Sequence, residues 1–309
     1  MEVIRARVLG YCMGVRRAVE MTARVSGGGA PAPVPDLRLA SREGPCAGKI
    51  YTLGPLIHNP QVLAKLKSRG VEVLDETRLP GDLRGAVVIV RAHGVSPVLE
   101  AEVSLRGGRV VDATCPKVKA SQNLARSLGR AGYRLFLGGE KQHGEIIGIR
   151  AYAGDCIVVA SPEEAAEAAA DLYRETAGKR PAVIKTALLG QTTLSPGEYR
   201  AIGEAIRPFF PDLRVEDTIC EATRDRQEAL MELCGQVDAL IVAGGRASAN
   251  TRRLLSMAQA LGKPAWLVES AGDIPREIAA CSVVGLSAGA STPDDVIDEI
   301  EGALLAMDR

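Results

Sequence analysis

Three of the seven cysteines recur at matching places, each after an apolar run and just before a helical pattern. They are Cys12, Cys115 and Cys220, which lie 103 and 105 residues apart. A single cysteine after a strand is usually a small buried hydrophobe, but three at equivalent positions favour a shared site. Soft thiolates select zinc, copper(I) or iron–sulfur clusters, whereas a structural zinc site needs four protein ligands. Three thiols in near-threefold symmetry therefore fit a cubane cluster best, with one iron left open as a Lewis acid.

The other four cysteines do not follow this pattern. Cys156 and Cys281 fall in or beside apolar strands, and Cys234 lies in a predicted helix, so we interpret these three as structural. Cys46 belongs to an irregular stretch rich in glycine, proline and alanine, where it is predicted to be an exposed thiol. The sequence has no Cys-x-x-Cys, so a zinc ribbon, a thioredoxin-like motif and a ferredoxin-type run are unsupported.

All three histidines follow predicted strands. A loop histidine is ordinarily a solvated surface residue, but His58, His93 and His143 all belong to the repeated strand-end elements, which favours a function. Neutral donors lie near them in the sequence or at equivalent positions: Asn59, Gly94, Gln191, Thr192, Ser248, Asn250 and Ser291. Imidazoles, neutral donors and helix N-termini together bind anions, phosphate above all. We therefore predict a phosphate-binding site.

Glu145 is the exception among these residues, because its carboxylate would repel a phosphate. Its place two residues after His143 suggests a proton donor or relay. The alternative is an exposed glutamate in the first turn of a helix, where the helix dipole favours negative charge.

The elements that must position these residues also repeat. About twelve short apolar strands alternate with helical patterns, which is typical of βαβ units and parallel sheets. His143 and Ser248 each follow a cysteine of the repeat by 28 residues, and His58 follows Cys12 by 46 because of an insertion at 26–48. Ligands of open α/β sheets lie beyond the carboxyl ends of the strands, and every candidate residue lies at such an end.

The fold class is accordingly α/β, with three similar domains of mainly parallel four-stranded sheets arranged pseudo-threefold around a central cluster. The predicted domains are 1–111, 112–214 and 215–309. A third repeated element ends in serine or threonine followed by proline, a helix cap with proline at the first helical position. It occurs as Ser96-Pro97, Ser195-Pro196 and Thr292-Pro293.

Composition narrows the function classes. The 309 residues carry zero formal net charge and are 46% apolar, which argues against a disordered chain and a general nucleic-acid or membrane binder. No apolar run reaches a membrane span and the N-terminus has no long apolar core, so we expect a cytoplasmic protein with reduced thiols. Neither G-x-G-x-x-G nor G-x-x-x-x-G-K-[ST] occurs, which leaves NAD and ATP without support.

At these residues the sequence closely resembles the 4-hydroxy-3-methylbut-2-enyl diphosphate reductase family, in family order over nearly the whole chain. The matching stretches are Gly10–Val15, Leu56–Pro60, Arg91–Val95, Asp112–Pro116, His143–Glu145, Gln191–Ser195, Asp217–Cys220 with Ala222-Thr223 and Arg226-Gln227, Ser248–Asn250 with Arg253-Leu254, and Ala288–Ser291.

The resemblance implies a three-lobed α/β fold around a [4Fe–4S] cluster held by Cys12, Cys115 and Cys220. Diphosphate binding is implied for His58, His93, His143, Ser248, Asn250 and Ser291. Glu145 would deliver protons, with His143 also in the catalytic set and Thr192 near the substrate hydroxyl. The implied reaction is a two-electron reductive dehydroxylation, which releases water and yields isopentenyl and dimethylallyl diphosphate. Ferredoxin or flavodoxin is the implied electron donor.

The sequence departs from the family at three places. Gly144 stands where most members have proline, which would loosen the loop between His143 and Glu145. Ala249 stands where many have a second serine, so one diphosphate contact is missing or comes from a backbone N–H. The insertion at 26–48 has no role that the resemblance assigns.

Two other functions are compatible with the residues alone. One is an iron–sulfur hydro-lyase acting on a phosphorylated small molecule, in which the open iron is a Lewis acid without net electron transfer. The other is a metal-free phosphate-binding module with buried thiols.

Overall fold

The structure is a computed structural model that describes residues 1–27, 48–176 and 184–307. Most of the predicted insertion, with Cys46, lies outside the described residues. The strands are β1 Glu2–Arg5, β2 Ile50–Leu53, β3 Val71–Leu74, β4 Val87–Val90, β5 Arg109–Asp112, β6 Arg134–Gly138, β7 Cys156–Val159, β8 Thr186–Gly190, β9 Arg214–Val215, β10 Ala239–Ala243, β11 Ala265–Val268 and β12 Val283–Ala288. The helices are α1 Met13–Val25, α2 Pro60–Ser68, α3 Pro97–Leu105, α4 Pro116–Arg130, α5 Gly144–Ala153, α6 Pro162–Thr176, α7 Pro196–Ile206, α8 Glu221–Cys234, α9 Ala249–Ala260 and α10 Asp294–Ala306.

Three four-stranded sheets contain these strands, in the orders β3-β2-β4-β5, β7-β6-β8-β9 and β11-β10-β12-β1. Every strand pair that the structure describes is parallel. The predicted α/β class with three parallel four-stranded sheets is therefore confirmed. Each sheet has the same strand order once β1 is taken as the fourth strand of the last one.

β1 does not join the sheet formed by the other strands before Cys115. β1 pairs in parallel with β12, with Glu2 opposite Val283, and so completes the sheet of the last part of the chain. In the other two sheets the fourth strand is contributed by the strand just before the next cysteine, β5 before Cys115 and β9 before Cys220. Cys12, Cys115 and Cys220 thus each follow a strand at the edge of one of the three sheets, namely β1, β5 and β9.

Contacts divide the chain into two compact units. The terminal unit comprises Met1–Arg16, Ile57–Lys65 and Cys220–Arg309, and the internal unit comprises Arg17–Leu56 and Leu66–Ile219. The terminal unit holds the sheet with β1, and the internal unit holds the other two sheets. The domain boundaries at residues 111 and 214 stay a prediction.

Parallel pairing explains the apolar strand sequences. β4 (VVIV) and β10 (ALIVA) are buried at every position, as expected for strands covered on both faces. Separate apolar cores pack on the sheets within each unit. Among the described helices, none combines the length and apolar character that a membrane span needs.

Two of the three predicted Ser/Thr-Pro caps are confirmed. Ser96 and Ser195 are the N-caps of α3 and α7, their hydroxyl oxygens accept backbone N–H bonds, and the following prolines begin the helices. The third prediction is wrong. Pro293 is the N-cap of α10, because the Thr292 hydroxyl instead donates to the Ala243 carbonyl at 3.0 Å.

Candidate active site

Glu145 lies in the first turn of α5, but only 1% of the residue is exposed. Its Oε1 accepts a hydrogen bond from the Thr192 backbone N–H at 2.7 Å, and its Oε2 accepts one from the Thr192 hydroxyl at 2.9 Å. The alternative of an exposed first-turn glutamate is therefore wrong. A buried carboxyl group held at both oxygens by one residue is fixed in orientation, as proton transfer requires.

His143 is the N-cap of α5, and its Nδ1 accepts from the Glu145 backbone N–H at 3.2 Å. An Nδ1 that accepts carries no proton, so the imidazole in this arrangement is the neutral tautomer protonated at Nε2. His143 is buried, and its ring meets the edge of the His93 ring with centroids 5.1 Å apart. Two imidazoles and the start of α5 thus converge within the internal unit.

His93 stands in a turn after β4. The Gly94 N–H donates to the Arg91 carbonyl at 2.9 Å, and Gly94 has a φ of +71°, which only glycine adopts readily. A Cβ on Gly94 would also lie 2.3 Å from Nε2 of the buried Gln122. The glycine after His93 is therefore required both by the turn and by the close approach of α4.

A partly buried ion pair lies beside Gly144. Nη1 of Arg91 lies 2.7 Å from Oε1 of Glu76, and its Nε donates to the Gly94 carbonyl at 3.3 Å. Burial lowers the pKa of Arg91, and the Glu76 charge raises it. A Cβ on Gly144 would lie 2.9 Å from Nη2 of Arg91. Glycine at position 144 thus leaves room for the guanidinium of Arg91.

The three cysteines of the repeat all immediately precede helices. Cys115 and Cys220 are the N-caps of α4 and α8, and Cys12 directly precedes α1. The Cys115 N–H donates to the Ala92 carbonyl at 2.9 Å, and Sγ of Cys12 accepts from the Val15 N–H at 3.5 Å. All three are partly buried and free of disulfides. The positive end of a helix dipole favours negative charge at each sulfur.

The other cysteines that the structure describes have no such setting. Cys156 begins β7, Cys234 ends α8, and Cys281 packs against the core beside β12. Burial raises the pKa of the Cys156 and Cys234 thiols, which keeps them protonated. Their surroundings agree with a structural role.

Arg226 lies within the terminal unit on the buried face of α8 and is 3% exposed. Its Nη2 donates to the Gly10 carbonyl at 2.6 Å and its Nη1 to the Ala222 carbonyl at 2.7 Å, while Nε has no hydrogen-bond partner. Burial lowers the pKa of the guanidinium, and negative charge on Cys12 and Cys220 raises it. The buried cation therefore lies near two of the three cysteines.

Ser248 and Asn250 occupy the start of α9. Ser248 is the N-cap, and its Oγ accepts from the Thr251 N–H at 3.3 Å, which leaves its own hydroxyl hydrogen available. Nδ2 of Asn250 is buried and has no hydrogen-bond partner. An unsatisfied buried donor is costly, so this amide is suited to an anion that supplies the missing acceptor.

His58 and Ser291 meet through the backbone. The Ser291 hydroxyl donates to the His58 carbonyl at 3.2 Å, and Asn59 caps α2 by accepting from the Val62 N–H at 3.1 Å. A Cβ on Gly245 would lie 2.4 Å from the His58 carbonyl oxygen, so only glycine permits this approach. The terminal unit thus brings His58 and Ser291 together.

A family model described as LytB protein matches residues 3–305. The chain belongs to the LytB family. A relative from Treponema denticola named 4-hydroxy-3-methylbut-2-enyl diphosphate reductase is 45% identical over 308 residues, which cover 99% of each chain. One of the same name from Anaeromyxobacter is 35% identical over 100% of this chain and 99% of the relative. The resemblance that the motifs carry is confirmed.

Solved structures of the LytB fold agree. The E-1-hydroxy-2-methyl-but-2-enyl-4-diphosphate reductase of Plasmodium falciparum is 25% identical, with a TM-score of 0.81 over 97% of this chain and 87% of that one. A second structure, of (E)-4-hydroxy-3-methyl-but-2-enyl diphosphate reductase, described as the terminal enzyme of the non-mevalonate pathway, is 34% identical with a TM-score of 0.66 over 99% of both chains.

Arg226 belongs to one of the sequence stretches that match the reductase family, but the sequence alone predicted no role for it. A signal was present, because Thr223, Arg226, Gln227 and Leu230 follow the i, i+3, i+4, i+7 spacing of a buried helical face. An arginine on such a face indicates a buried charge that needs an anion. Arg91 likewise begins a matching stretch without a predicted role. No feature of the sequence indicates its pairing with Glu76, which lies 15 residues before it.

Proposed function

We propose that this chain catalyses the two-electron reductive dehydroxylation of 4-hydroxy-3-methylbut-2-enyl diphosphate, the last step of the non-mevalonate isoprenoid pathway. One substrate, two electrons and two protons give isopentenyl or dimethylallyl diphosphate and one water. The observation that carries this proposal is the 45% identity over 99% of the chain to a reductase of that name. The buried Glu145 and the free donors of α9 support it from the geometry.

The residues of the site fit a [4Fe–4S] cluster held by Cys12, Cys115 and Cys220. Three partly exposed thiols at helix N-termini, none of them in a disulfide, are suitable ligands. The buried charge of Arg226 also requires an anion, and no carboxylate of the described residues lies within ion-pair distance of it. When bound, the cluster supplies electrons and one iron without a protein ligand.

The diphosphate is held by neutral donors. We assign this role to His58, His93, His143, Ser248, Asn250 and Ser291. The neutral His143 would donate through Nε2, the buried Asn250 amide would gain the acceptor it lacks, and the Ser248 hydroxyl hydrogen is available. The N-termini of α5 and α9 add their dipoles to this anion site.

Glu145 delivers protons in this proposal, and Thr192 positions it. The Thr192 hydroxyl donates to the carboxylate at 2.9 Å. Once Glu145 takes up a proton, this hydrogen bond would reverse, so that the hydroxyl accepts from the carboxyl group and donates to the substrate hydroxyl. Burial excludes bulk water from the carboxyl group, which keeps the transfer local.

The electrons come from a small carrier protein, ferredoxin or flavodoxin. Met13, next to Cys12, is 60% exposed and offers apolar surface beside the proposed cluster. A cytoplasmic location belongs to the same proposal, because a reducing compartment keeps the three thiols free to act as ligands.

The test is an anaerobic assay of the reconstituted protein with the substrate and a reduced one-electron donor. We expect iron and acid-labile sulfide in the protein, and two electrons consumed for each product formed. Turnover without a reductant would instead identify a hydro-lyase. A colourless protein that takes up no iron or sulfide on reconstitution would indicate a phosphate-binding module.

A Cys115→Ser variant tests the ligand set, and Cys156→Ser is the matched control. The first should lose cluster iron and activity, and the second should keep both. Full cluster content in Cys115→Ser would refute the proposed three-thiolate site.

A further inference from the structure

We infer that Arg226 balances the charge of the iron–sulfur cluster, with its guanidinium fixed between the segments that carry Cys12 and Cys220. This inference rests on the proposed function, because it needs a cluster at these cysteines. Arg226 makes no contact with the substrate in this role, so it acts on the redox step through the cluster.

The first support is the fixed position of the guanidinium. Nη2 binds the carbonyl of Gly10, two residues before Cys12, and Nη1 binds the carbonyl of Ala222, two residues after Cys220. The two acceptors lie at 2.6 and 2.7 Å and are 212 residues apart in the sequence. One side chain thus joins both cysteine segments of the terminal unit.

The second support is the unbalanced charge. Arginine stays protonated in proteins, and Arg226 is 3% exposed without an ion-pair partner among the described carboxylates. Leaving a buried charge uncompensated is strongly destabilising. Its two bonds go to neutral carbonyls and its Nε has no partner. The negative charges that act on the guanidinium are, in decreasing order, those of Cys12, Cys220 and Asp225, so the two cysteines and whatever they bind are the main candidates for the missing anion.

The consequence is a prediction about reduction. A cluster with three thiolates is negative, and it becomes more negative when it accepts an electron. A buried cation at a fixed position stabilises the reduced form more than the oxidised form, because attraction grows with the charge. Arg226 should therefore raise the reduction potential.

The experiment compares wild type, Arg226→Gln and Arg226→Lys as anaerobically reconstituted full-length proteins. The readout is the cluster midpoint potential from an EPR-monitored redox titration, together with iron and sulfide content. We expect a shift to more negative potential in Arg226→Gln and a potential close to wild type in Arg226→Lys, which keeps the charge. Arg7→Gln, which removes an exposed arginine paired with Glu232 in the same unit, should leave the potential unchanged.

An unchanged potential in Arg226→Gln, or equal shifts in the Gln and Lys variants, would overturn the inference and leave the proposed function intact. If Arg226→Gln does not retain a cluster, the iron and sulfide content of Arg226→Lys becomes the test. A content close to wild type supports the inference, and a content as low as that of Arg226→Gln contradicts it.

The melting temperatures of the proteins without cluster show whether Arg226 has a purely structural role. We expect Arg226→Gln to melt no lower than wild type in this state, since it loses an uncompensated charge. A wild-type protein without iron and sulfide would instead refute the proposed function itself.

Discussion

The starts of α5 and α9 use the same local structure for different side chains. His143 and Ser248 are the N-caps, Gly144 and Ala249 occupy the first helical position, and Glu145 and Asn250 occupy the second. Each cap accepts a backbone N–H of the first turn. The carboxylate at the start of α5 is satisfied twice by Thr192, whereas the Asn250 amide nitrogen at the start of α9 has no partner.

The different partners of Glu145 and Asn250 indicate different roles, proton transfer for the first and ligand binding for the second. A carboxylate whose oxygens are both occupied by its own protein is held for a reaction, and a buried donor without an acceptor is kept for a ligand. The backbone of a capped helix serves both because it fixes the side chain at the second helical position without specifying its charge. The helix start therefore indicates where a site residue lies, and the partners of that residue indicate its role.

The strongest test of the comparison is Glu145→Gln. We expect kcat to fall about 10²–10⁴-fold, the usual contribution of a positioned acid or base, while KM changes little. The amide is nearly the same size and can still accept from Thr192, so the melting temperature should stay near that of wild type. A kcat within a few-fold of wild type would remove Glu145 from the proton path.

Asn250→Asp places a carboxylate at the equivalent position of α9. We expect KM to rise roughly 100-fold, because like charges brought together at an interface cost several kcal/mol. Asn250→Ala is the matched control, and it should raise KM less because it removes a donor without adding a charge. Equal effects of the two variants would mean that no anion lies against this position.

Thr192→Val removes the hydroxyl that binds Oε2 of Glu145 and keeps the backbone bond to Oε1. We expect a loss of roughly 10–100-fold in kcat, since hydrogen bonds to charged groups contribute about 1.5–3 kcal/mol. Thr192→Ser retains the hydroxyl and should recover most of the rate. If Ser and Val are equally slow, the hydroxyl is not what positions the carboxylate.

Gly144→Ala tests the packing of Arg91 against the start of α5. We expect the free energy of unfolding to fall by about 1 kcal/mol, because overpacking typically costs about 1–3 kcal/mol and alanine returns up to about 1 kcal/mol of helix propensity. In an Arg91→Ser background the same change should be neutral or stabilising. Gly197→Ala, in α7 with no atom within 4 Å of the added Cβ, is the control and should not destabilise. The measurement is denaturant unfolding of wild type, the two single variants and the double variant. If the changes in the free energy of unfolding are additive, Gly144→Ala does not act through a clash with Arg91.

Ala249→Ser is the mildest test. Ala249 is buried at the first position of α9, between Ser248 and Asn250. We expect KM to fall about threefold, the effect of one net hydrogen bond of about 0.5–1.5 kcal/mol. An unchanged or raised KM would indicate that a backbone N–H already fills this contact.

Local features of the fold could be predicted from the sequence. The strand–cysteine–helix order, the caps at Ser96 and Ser195 and the strand-end positions of the histidines depend on neighbouring residues, and the structure has them as expected. The three parallel sheets followed from the regular alternation of strands and helices.

Features set by distant contacts could not be predicted. Thr192 meets Glu145 across 47 residues, and Arg226 reaches Gly10 across 216. The pattern at Thr292-Pro293 matched a cap, but the buried Ala243 carbonyl takes the hydroxyl instead. Tertiary partners compete with local ones in each case, and a single sequence does not list them.

The pairing of β1 with β12 has a consequence for how the chain is made. The ribosome synthesises β1 first and β12 last, with Glu2 opposite Val283, and domains generally fold from the N-terminus as they emerge. The terminal unit cannot complete its sheet until β12 has left the ribosome, and such long-range closure is slow. Cys12 follows β1, so its final position also depends on this pairing. Insertion of the proposed cluster is therefore expected only after β12 has been synthesised.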